Sequence, residues 1–388
     1  MLMKSLLVPG IVETLSESVA LRQHLHANPE LGYEEFSTSN LVAEKLSAYG
    51  YEVHRGLGGT GVVGTLTKGN RTRRLGLRAD MDALPIQEQT GLNYASKAAG
   101  KMHACGHDGH TAALLSAARY LARDDAKFEG TLNLIFQPAE ESFGGARRMV
   151  EEGLFHLFPC DAVFAFHNMP GFPAGKIGLL PGTFMASSDT VNIRVLGRGG
   201  HGSMPHQTVD ATLVAAYIVV ALQSIVARNV DPRQMSVVTV GAMHAGRAPN
   251  VIAETAELHL SVRAYSPEIR EQLRERITAL VRAQAQVFGA EVEIDYQWRY
   301  PPLRNDPEMT RLARKVATDW LGEEGLIQNM EPLTGSEDFS FMLDACAGCY
   351  LIVGNGEGMV HTPHYDFNDE ILPVAASYWV KLVEAFLI

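Results

Sequence analysis

An α/β chain built on a mostly parallel sheet, carrying a smaller inserted α+β domain, is the fold class the sequence predicts. Three observations lead there. The 388 residues exceed what one hydrophobic core usually organises, so two domains are expected. Short apolar segments alternate with helical ones through the first half, the pattern of strands joined by crossover helices. Between Ser187 and Glu291 the order becomes β-α-β-β-α with a possible closing strand, which matches a ferredoxin-like split unit. The expected boundaries are 1–186 plus 295–388 for the larger domain and 187–294 for the insertion.

The elements follow in chain order. A helical pattern over Val12–His26 is stopped by Asn28-Pro29, and a second over Phe36–Tyr49 ends at Gly50. Thr60–Leu66, Arg74–Arg78, Thr131–Phe136 and Ala162–Phe166 are apolar runs bounded by glycine, proline or charge, and predict strands. His110–Leu121 and Gly144–Glu152 predict helices among them. In the insertion, Val191–Leu196, Met235–Ala242 and Glu254–Ala264 predict strands, with helices at Val209–Ala227 and Pro267–Gln286 and a last strand near Glu291–Tyr296. The apolar stretch Ala211–Ala227 contains Thr212, Gln223 and Ser224, falls short of a membrane span, and reads as a core helix.

Composition narrows the function. Hydrophobic residues at 46% and charged residues at 20% describe an ordinary globular chain. A net charge of −11 without a long basic run argues against nucleic acid or an anionic membrane as partner. Four cysteines are too few for a disulfide scaffold of this size, and no signal-peptide pattern opens the chain. A cytoplasmic protein is expected. Cys346-Ala-Gly-Cys349 has redox spacing but leads into Tyr350-Leu-Ile-Val353 rather than a helix, so two small buried thiols are the reading.

Chemistry gathers in five polar clusters: Asp80-Met-Asp82, His103-Ala-Cys-Gly-His107-Asp108-Gly-His110, Glu140-Glu141, His167-Asn168 and His361-Thr-Pro-His364. Four follow an apolar strand and the second opens a helix. Ligands bind outside the carboxyl ends of strands in open α/β sheets, so parallel strands would bring all five to one rim. Cys105 and His107, separated by Gly106, could both turn onto one ion; thiolate with imidazole suits zinc and other borderline metals, and a carboxylate opens the site to manganese. Of two adjacent glutamates, one can bind metal while the other faces substrate as a base, the pairing that metal-assisted hydrolysis needs. Taken alone, two acids at a helix start favour only the helix dipole. Asp80 and Asp82 are candidates for orienting ligand histidines, with strand-end capping as the alternative.

These residues resemble a family, the metal-dependent amidohydrolases that include hippurate hydrolases, N-acyl-amino-acid hydrolases and plant indoleacetyl-amino-acid hydrolases, within the aminoacylase and carboxypeptidase clan. Matching stretches run through nearly the whole chain. They include Leu21-Arg-Gln-His-Leu-His-Ala-Asn-Pro-Glu-Leu31, Leu77-Arg-Ala-Asp-Met-Asp-Ala-Leu-Pro85, Met102-His-Ala-Cys-Gly-His-Asp-Gly-His110 and Phe136-Gln-Pro-Ala-Glu-Glu141. Phe166-His-Asn168, Gly197-Arg-Gly-Gly-His-Gly-Ser203, Gly335-Ser-Glu-Asp-Phe339 and His361-Thr-Pro-His-Tyr-Asp-Phe-Asn-Asp369 complete the set.

The resemblance implies a zinc-peptidase-like catalytic domain and a lid or dimerisation domain, hence a homodimer or dimer-based oligomer. It implies metal binding by Cys105, His107, Glu141, His167 and His361, with His364 as a competitor for the last place. One or two divalent ions are expected per subunit, manganese or zinc first, nickel or cobalt as alternatives. Glu140 is the implied base, and Asp82 joins the catalytic group. His201 from the lid would stabilise the oxyanion, while Asn250 and Arg263 would contact substrate. The expected reaction is hydrolysis of the amide of an N-acyl or N-aroyl amino acid, hippurate-like, releasing a carboxylic acid and a free amino acid. Two rival classes are a thiol hydrolase with Cys105 as nucleophile and a non-catalytic binding protein on an inactive scaffold. Retention of Glu140 beside every proposed ligand speaks against the second, because binding alone needs no base.

Overall fold

A computed structural model describes residues 6–387 and divides the chain into two compact units. The first comprises residues up to Phe184, Arg304–Glu331 and from Asp338 onward; the second comprises Met185–Leu303 and Pro332–Glu337.

The first unit holds a seven-stranded sheet. Its strands β1 (Glu52–Leu57), β2 (Gly61–Lys68), β3 (Arg74–Asp80), β4 (Gly130–Gln137) and β5 (Ala162–Pro170) are joined by Gly348–Gly356 and the short Ile177–Gly178. The spatial order is β1-β2-β4-β3-β5, then Gly348–Gly356, then Ile177–Gly178. The four central strands, β4, β3, β5 and Gly348–Gly356, are mutually parallel. β2 and Ile177–Gly178 run antiparallel to their central neighbours, and β1 pairs antiparallel with β2. The sheet is therefore mostly parallel, as the sequence predicts, with β2 reversed beside β4 and joined to β1 by a tight hairpin at Gly58-Gly59.

Leu75, Leu77, Leu132, Leu134, Phe164, Phe166, Leu351 and Val353 project from the parallel strands into one continuous core. The helix His107–Leu121 is buried along almost its whole length, and alanines at 112, 113, 117 and 118 let neighbours approach it closely. Helices Leu15–Ala27 and Leu372–Phe386 pack beside it. The latter, with Trp379 fully buried, is covered on most of its faces. β1, with four of its six residues exposed, also escapes pattern reading. The expected helix Val12–His26 is interrupted at Thr14, giving Pro9–Glu13 and Leu15–Ala27.

The second unit has a four-stranded antiparallel sheet in the order Ser236–Ala245, Thr255–Ala264, Ser188–Leu196, Glu291–Tyr300. With helices Ala211–Asn229 and Pro267–Val287 between the strands, this is the ferredoxin-like order expected. The closing strand runs to Tyr300, so the return drawn at 295 falls inside it. Asp210 caps the first helix by accepting N–H groups from Thr212 and Leu213, and Ser266 caps the second at Ile269. Val214, Ile218, Leu222 and Ile225 face the core of this unit. The opposite face exposes Leu213, Tyr217 and Val220, with the Tyr217 ring 5.0 Å from that of Phe288, so only one face of the expected core helix joins the core.

Candidate metal centre

The chain moves from β3 to β4 on one side, then to β5 on the other. β3 is therefore a switch point, and a crevice opens beyond its carboxyl end. Into that crevice come the loops after β3, after β4 and after Gly348–Gly356, the last residues of β5, and the start of helix His107–Leu121.

Cys105 and His107 reach the same point because Gly106 takes a left-handed conformation, φ 96°. A Cβ there would lie 2.1 Å from Asn168 Oδ1 and 2.6 Å from the Tyr365 hydroxyl, so no larger residue fits. Cys105 Sγ lies 3.3 Å from His167 Nε2 and 3.3 Å from His361 Nε2. His361 Nε2 is in turn 3.3 Å from Glu141 Oε1, and His107 Nε2 is 4.0 Å from the same oxygen. Two overlapping donor sets result, Cys105–His107–His167 and Cys105–Glu141–His361, sharing the thiol.

The donor set fits a divalent metal. His107 Nε2 and Glu141 Oε1 are buried without a hydrogen-bond partner, a costly arrangement unless something else satisfies them. Donors bound at zinc-like lengths sit roughly 3.3–3.7 Å apart along the edges of a tetrahedron, close to the spacings observed. Each set supplies three protein donors, the number that leaves a position open in catalytic sites. His361 is 52% exposed, so solvent reaches that side.

Neighbouring groups fix each donor. Asp82 Oδ1 meets His107 Nδ1 at 3.2 Å, and its Oδ2 accepts the Glu141 backbone N–H at 2.9 Å. The Asn168 carbonyl holds His167 Nδ1 at 2.5 Å, leaving Nε2 for the centre. Burial alone would lower the His107 pKa, but Asp80, Asp82 and Glu141 overcome it and raise it to about 10. His167 is held well below its usual value by burial and by His110 and His107. Burial, together with Glu141, Glu140 and Asp80, drives the Cys105 thiol well up. This concentration of negative charge is what a bound cation offsets.

Glu140 is buried to 7% exposure, with a carboxylate oxygen within 4.8 Å of donor atoms of Glu141 and His107. The two glutamates open a short helix, Glu140–Phe143, rather than an extended segment, so their side chains diverge by a helical step. His110 is not a donor: its Nδ1 meets Asp80 at 2.6 Å and its Nε2 meets Asn168 at 2.7 Å. Asp80 also pairs with Arg78 at 2.7 Å, so it braces His110 and lies 3.7 Å from His107 Nε2. His364 turns its Nδ1 to the Gln89 carbonyl at 3.1 Å, whereas His361 faces Cys105 and Glu141.

Position in sequence gave no role to Asp338, yet it accepts from Arg78, Gln137 and the Ala146 N–H, tying the ends of β3 and β4 to the helix Gly145–Glu151. Arg22, wholly buried, likewise binds Asp366 and Asp369 at 2.8 Å each, anchoring the loop that carries His361. The Gly335–Phe339 and Leu21–Leu31 stretches were the available signal for both. Among the remaining thiols, Cys349 is buried but Cys346 is only partly so, correcting the expectation of two buried ones.

In the second unit, His201 pairs with Val251 in a two-stranded ribbon. The Ser203 N–H donates to His201 Nδ1 at 3.1 Å, which makes Nδ1 the acceptor and leaves the proton on Nε2. The Asn250 carbonyl accepts the Gly202 N–H at 2.8 Å, so Asn250 and His201 share one ribbon. Arg263 is half-buried on Thr255–Ala264, donates to the Thr334 carbonyl at 3.2 Å, and is held down in pKa by burial.

The model of peptidase family M20/M25/M40 matches residues 76–385. A hippurate hydrolase of Campylobacter jejuni is 47% identical over 382 residues, covering 98% of this chain and 99% of its own. An N-acetyl-L-cysteine deacetylase of Bacillus subtilis is 37% identical, covering 96% and 88%. A solved dinuclear metal-binding peptidase of the M20 family, also from Bacillus subtilis, superposes with a TM-score of 0.84 at 32% identity, covering 97% and 99%.

Proposed function

The chain belongs to peptidase family M20/M25/M40, and from that premise we propose that it hydrolyses the amide bond of N-acyl or N-aroyl amino acids. The observation that carries the reading is the pair of three-donor sets with Glu140 beside them. A hippurate-like substrate, N-benzoylglycine, is the first choice, because the 47% relative is a hippurate hydrolase. A panel of N-benzoyl, N-acetyl and N-indoleacetyl amino acids tests it; turnover of none would overturn it.

Cys105, His107, Glu141, His167 and His361 would hold one or two ions, with zinc or manganese best matched to thiolate, imidazole and carboxylate together. A divalent ion there supplies Lewis acidity to the scissile carbonyl and to water. Glu140 removes the proton from the attacking water and returns it to the leaving amine. Asp82 keeps His107 and the Glu141 backbone in place. His201 donates its Nε2 proton to the carbonyl oxygen as negative charge develops, consistent with its Ser203-fixed tautomer. Arg263, with no carboxylate partner among the described residues, would accept the substrate carboxylate beside Asn250. Four free thiols suit a reducing compartment, and we place the enzyme in the cytoplasm.

A homodimer through the second unit is part of this reading. Strand Ser236–Ala245 is a sheet edge, and an antiparallel edge can pair with its own copy about a two-fold axis. Leu213, Tyr217 and Val220 on helix Ala211–Asn229 present apolar area for the same partner. His201→Ala is expected to lower kcat about 10²–10³-fold with metal content unchanged. Mixing His201→Ala with Glu140→Gln subunits should restore activity if His201 acts across the dimer, since one site per heterodimer then carries both native groups. Verified heterodimers without activity would assign His201 to its own chain, and a wild-type kcat in His201→Ala would remove it from the mechanism.

A further inference from the structure

Glu35 is a fully buried carboxylate with no basic side chain among the influences on it. It sits at the start of helix Phe36–Ala48 but does not cap it with its side chain. Glu30 does that work, accepting the Ser37 N–H at 3.0 Å and the Thr38 N–H at 2.8 Å. The Glu35 side chain turns instead toward the end of β4. Its Oε2 accepts the Thr60 hydroxyl at 2.6 Å, and its Oε1 accepts the Ala139 backbone N–H at 2.8 Å.

Ala139 is the hinge between β4 and the helix that opens with Glu140 and Glu141. It is fully buried and left-handed, φ 53° and ψ 45°, a conformation that a residue with a Cβ adopts only under constraint. Both of its backbone ends are held: Glu35 takes the N–H, and the carbonyl accepts the Gly145 N–H at 3.0 Å. Gly145 itself is tightly enclosed, since a Cβ there would fall 1.7 Å from the Pro138 carbonyl oxygen. The direction in which Glu140 and Glu141 leave the strand therefore depends on this one turn, and the turn depends on an acceptor from a segment about a hundred residues earlier.

We propose that Glu35 is a positioning residue for the hydrolysis: its carboxylate fixes the left-handed Ala139 turn that aims Glu140 and Glu141 into the donor cluster. The inference rests on the reading of Glu140 as base and Glu141 as metal donor. An ordinary packing residue in this place would be apolar. Burial, with Asp82 adding to it, pushes the Glu35 carboxyl up to about 7, the sign of an acceptor kept in a hostile site.

Three variants test this with hippurate turnover, zinc competition against a chromophoric chelator, and thermal unfolding. Glu35→Met keeps the buried volume and removes the acceptor; kcat should fall about 10²-fold, as for a misplacement near 1 Å, with KM changing far less. Zinc should also be released to the chelator more readily, because Glu141 shares the turn. Glu35→Gln should stay within about threefold of wild type, since its Oε1 still accepts from Ala139 and the Thr60 hydroxyl can rotate to accept from Nε2. Glycine adopts left-handed backbone without steric cost, so Ala139→Gly placed in the Glu35→Met background should recover at least about tenfold in kcat. If Glu35→Met alone does not fold, the comparison is read on Glu35→Met/Ala139→Gly against Ala139→Gly. A folded Glu35→Met enzyme with kcat and zinc retention of wild type would overturn the proposal, as would equal losses in Glu35→Met and Glu35→Gln. Glu140→Gln run alongside separates the two readings. Its full activity would sink the base assignment, whereas its inactivity beside an unaffected Glu35→Met would sink only the role of Glu35.

Discussion

Glu140→Gln is expected to retain metal and fold while losing roughly 10²–10⁴-fold in kcat, the contribution of general-base catalysis. The neutral amide keeps the size and hydrogen-bonding shape of the side chain but cannot take a proton from water. Glu141→Gln should behave differently, losing metal first, because its Oε1 is the buried oxygen that lies 3.3 Å from His361 Nε2 without a hydrogen bond of its own. The two glutamates are adjacent, similarly enclosed and part of one short helix, so a generic stability effect would strike both alike. Metal content by elemental analysis together with kcat distinguishes them. A loss below tenfold in Glu140→Gln would reassign the base, and the opposite pattern of metal loss would exchange the two roles.

Cys105→Ala is expected to abolish stoichiometric metal binding, with affinity falling by 10²-fold or more, since even removal of groups behind the ligands costs roughly 10–100-fold. Cys105 is the donor common to both three-donor sets, so no other single truncation disturbs both in the same way as strongly. Burial and the nearby Glu141, Glu140 and Asp80 keep the thiol protonated in the metal-free protein. An ion must displace that proton, so metal affinity should weaken as pH falls and binding should release protons. Calorimetry in two buffers of different ionisation enthalpy measures the release. A Cys105→Ala enzyme that keeps its metal and its turnover would remove the thiol from the centre, and the same enzyme without turnover but with full metal would favour the thiol-nucleophile alternative.

Much of this architecture was legible because its signals are local. Leu75–Ala79, Leu132–Phe136, Ala162–Phe166 and Leu351–Val353 are apolar runs that a buried parallel strand requires, and the polar residues that follow them mark one rim. Gly106 between Cys105 and His107 announced a loop that could bend both inward. What stayed hidden depends on contacts between distant segments. His107 and His110 stand in one stretch, and only Asp80 and Asn168, arriving from two strands, occupy both nitrogens of His110 and leave His107 Nε2 open. Ala139 carries no sign of a left-handed turn, since that signal is ordinarily a glycine. Glu35 stands just before a helix, and nothing near it in sequence points to residue 139. The helix Ala211–Asn229 shows the converse: its apolar sequence suggests burial all round, yet Leu213, Tyr217 and Val220 are exposed.

If the rim cluster is a metal centre that hydrolyses N-acyl amino acids, turnover must depend on the bound ion. The most direct measurement follows hippurate hydrolysis by the purified protein before chelation, after removal of metal, and after stoichiometric return of zinc or manganese. The expected result is turnover at the start, its loss in folded metal-free protein, and its restoration by the divalent ion. Full turnover in protein shown by elemental analysis to hold no metal would contradict the account.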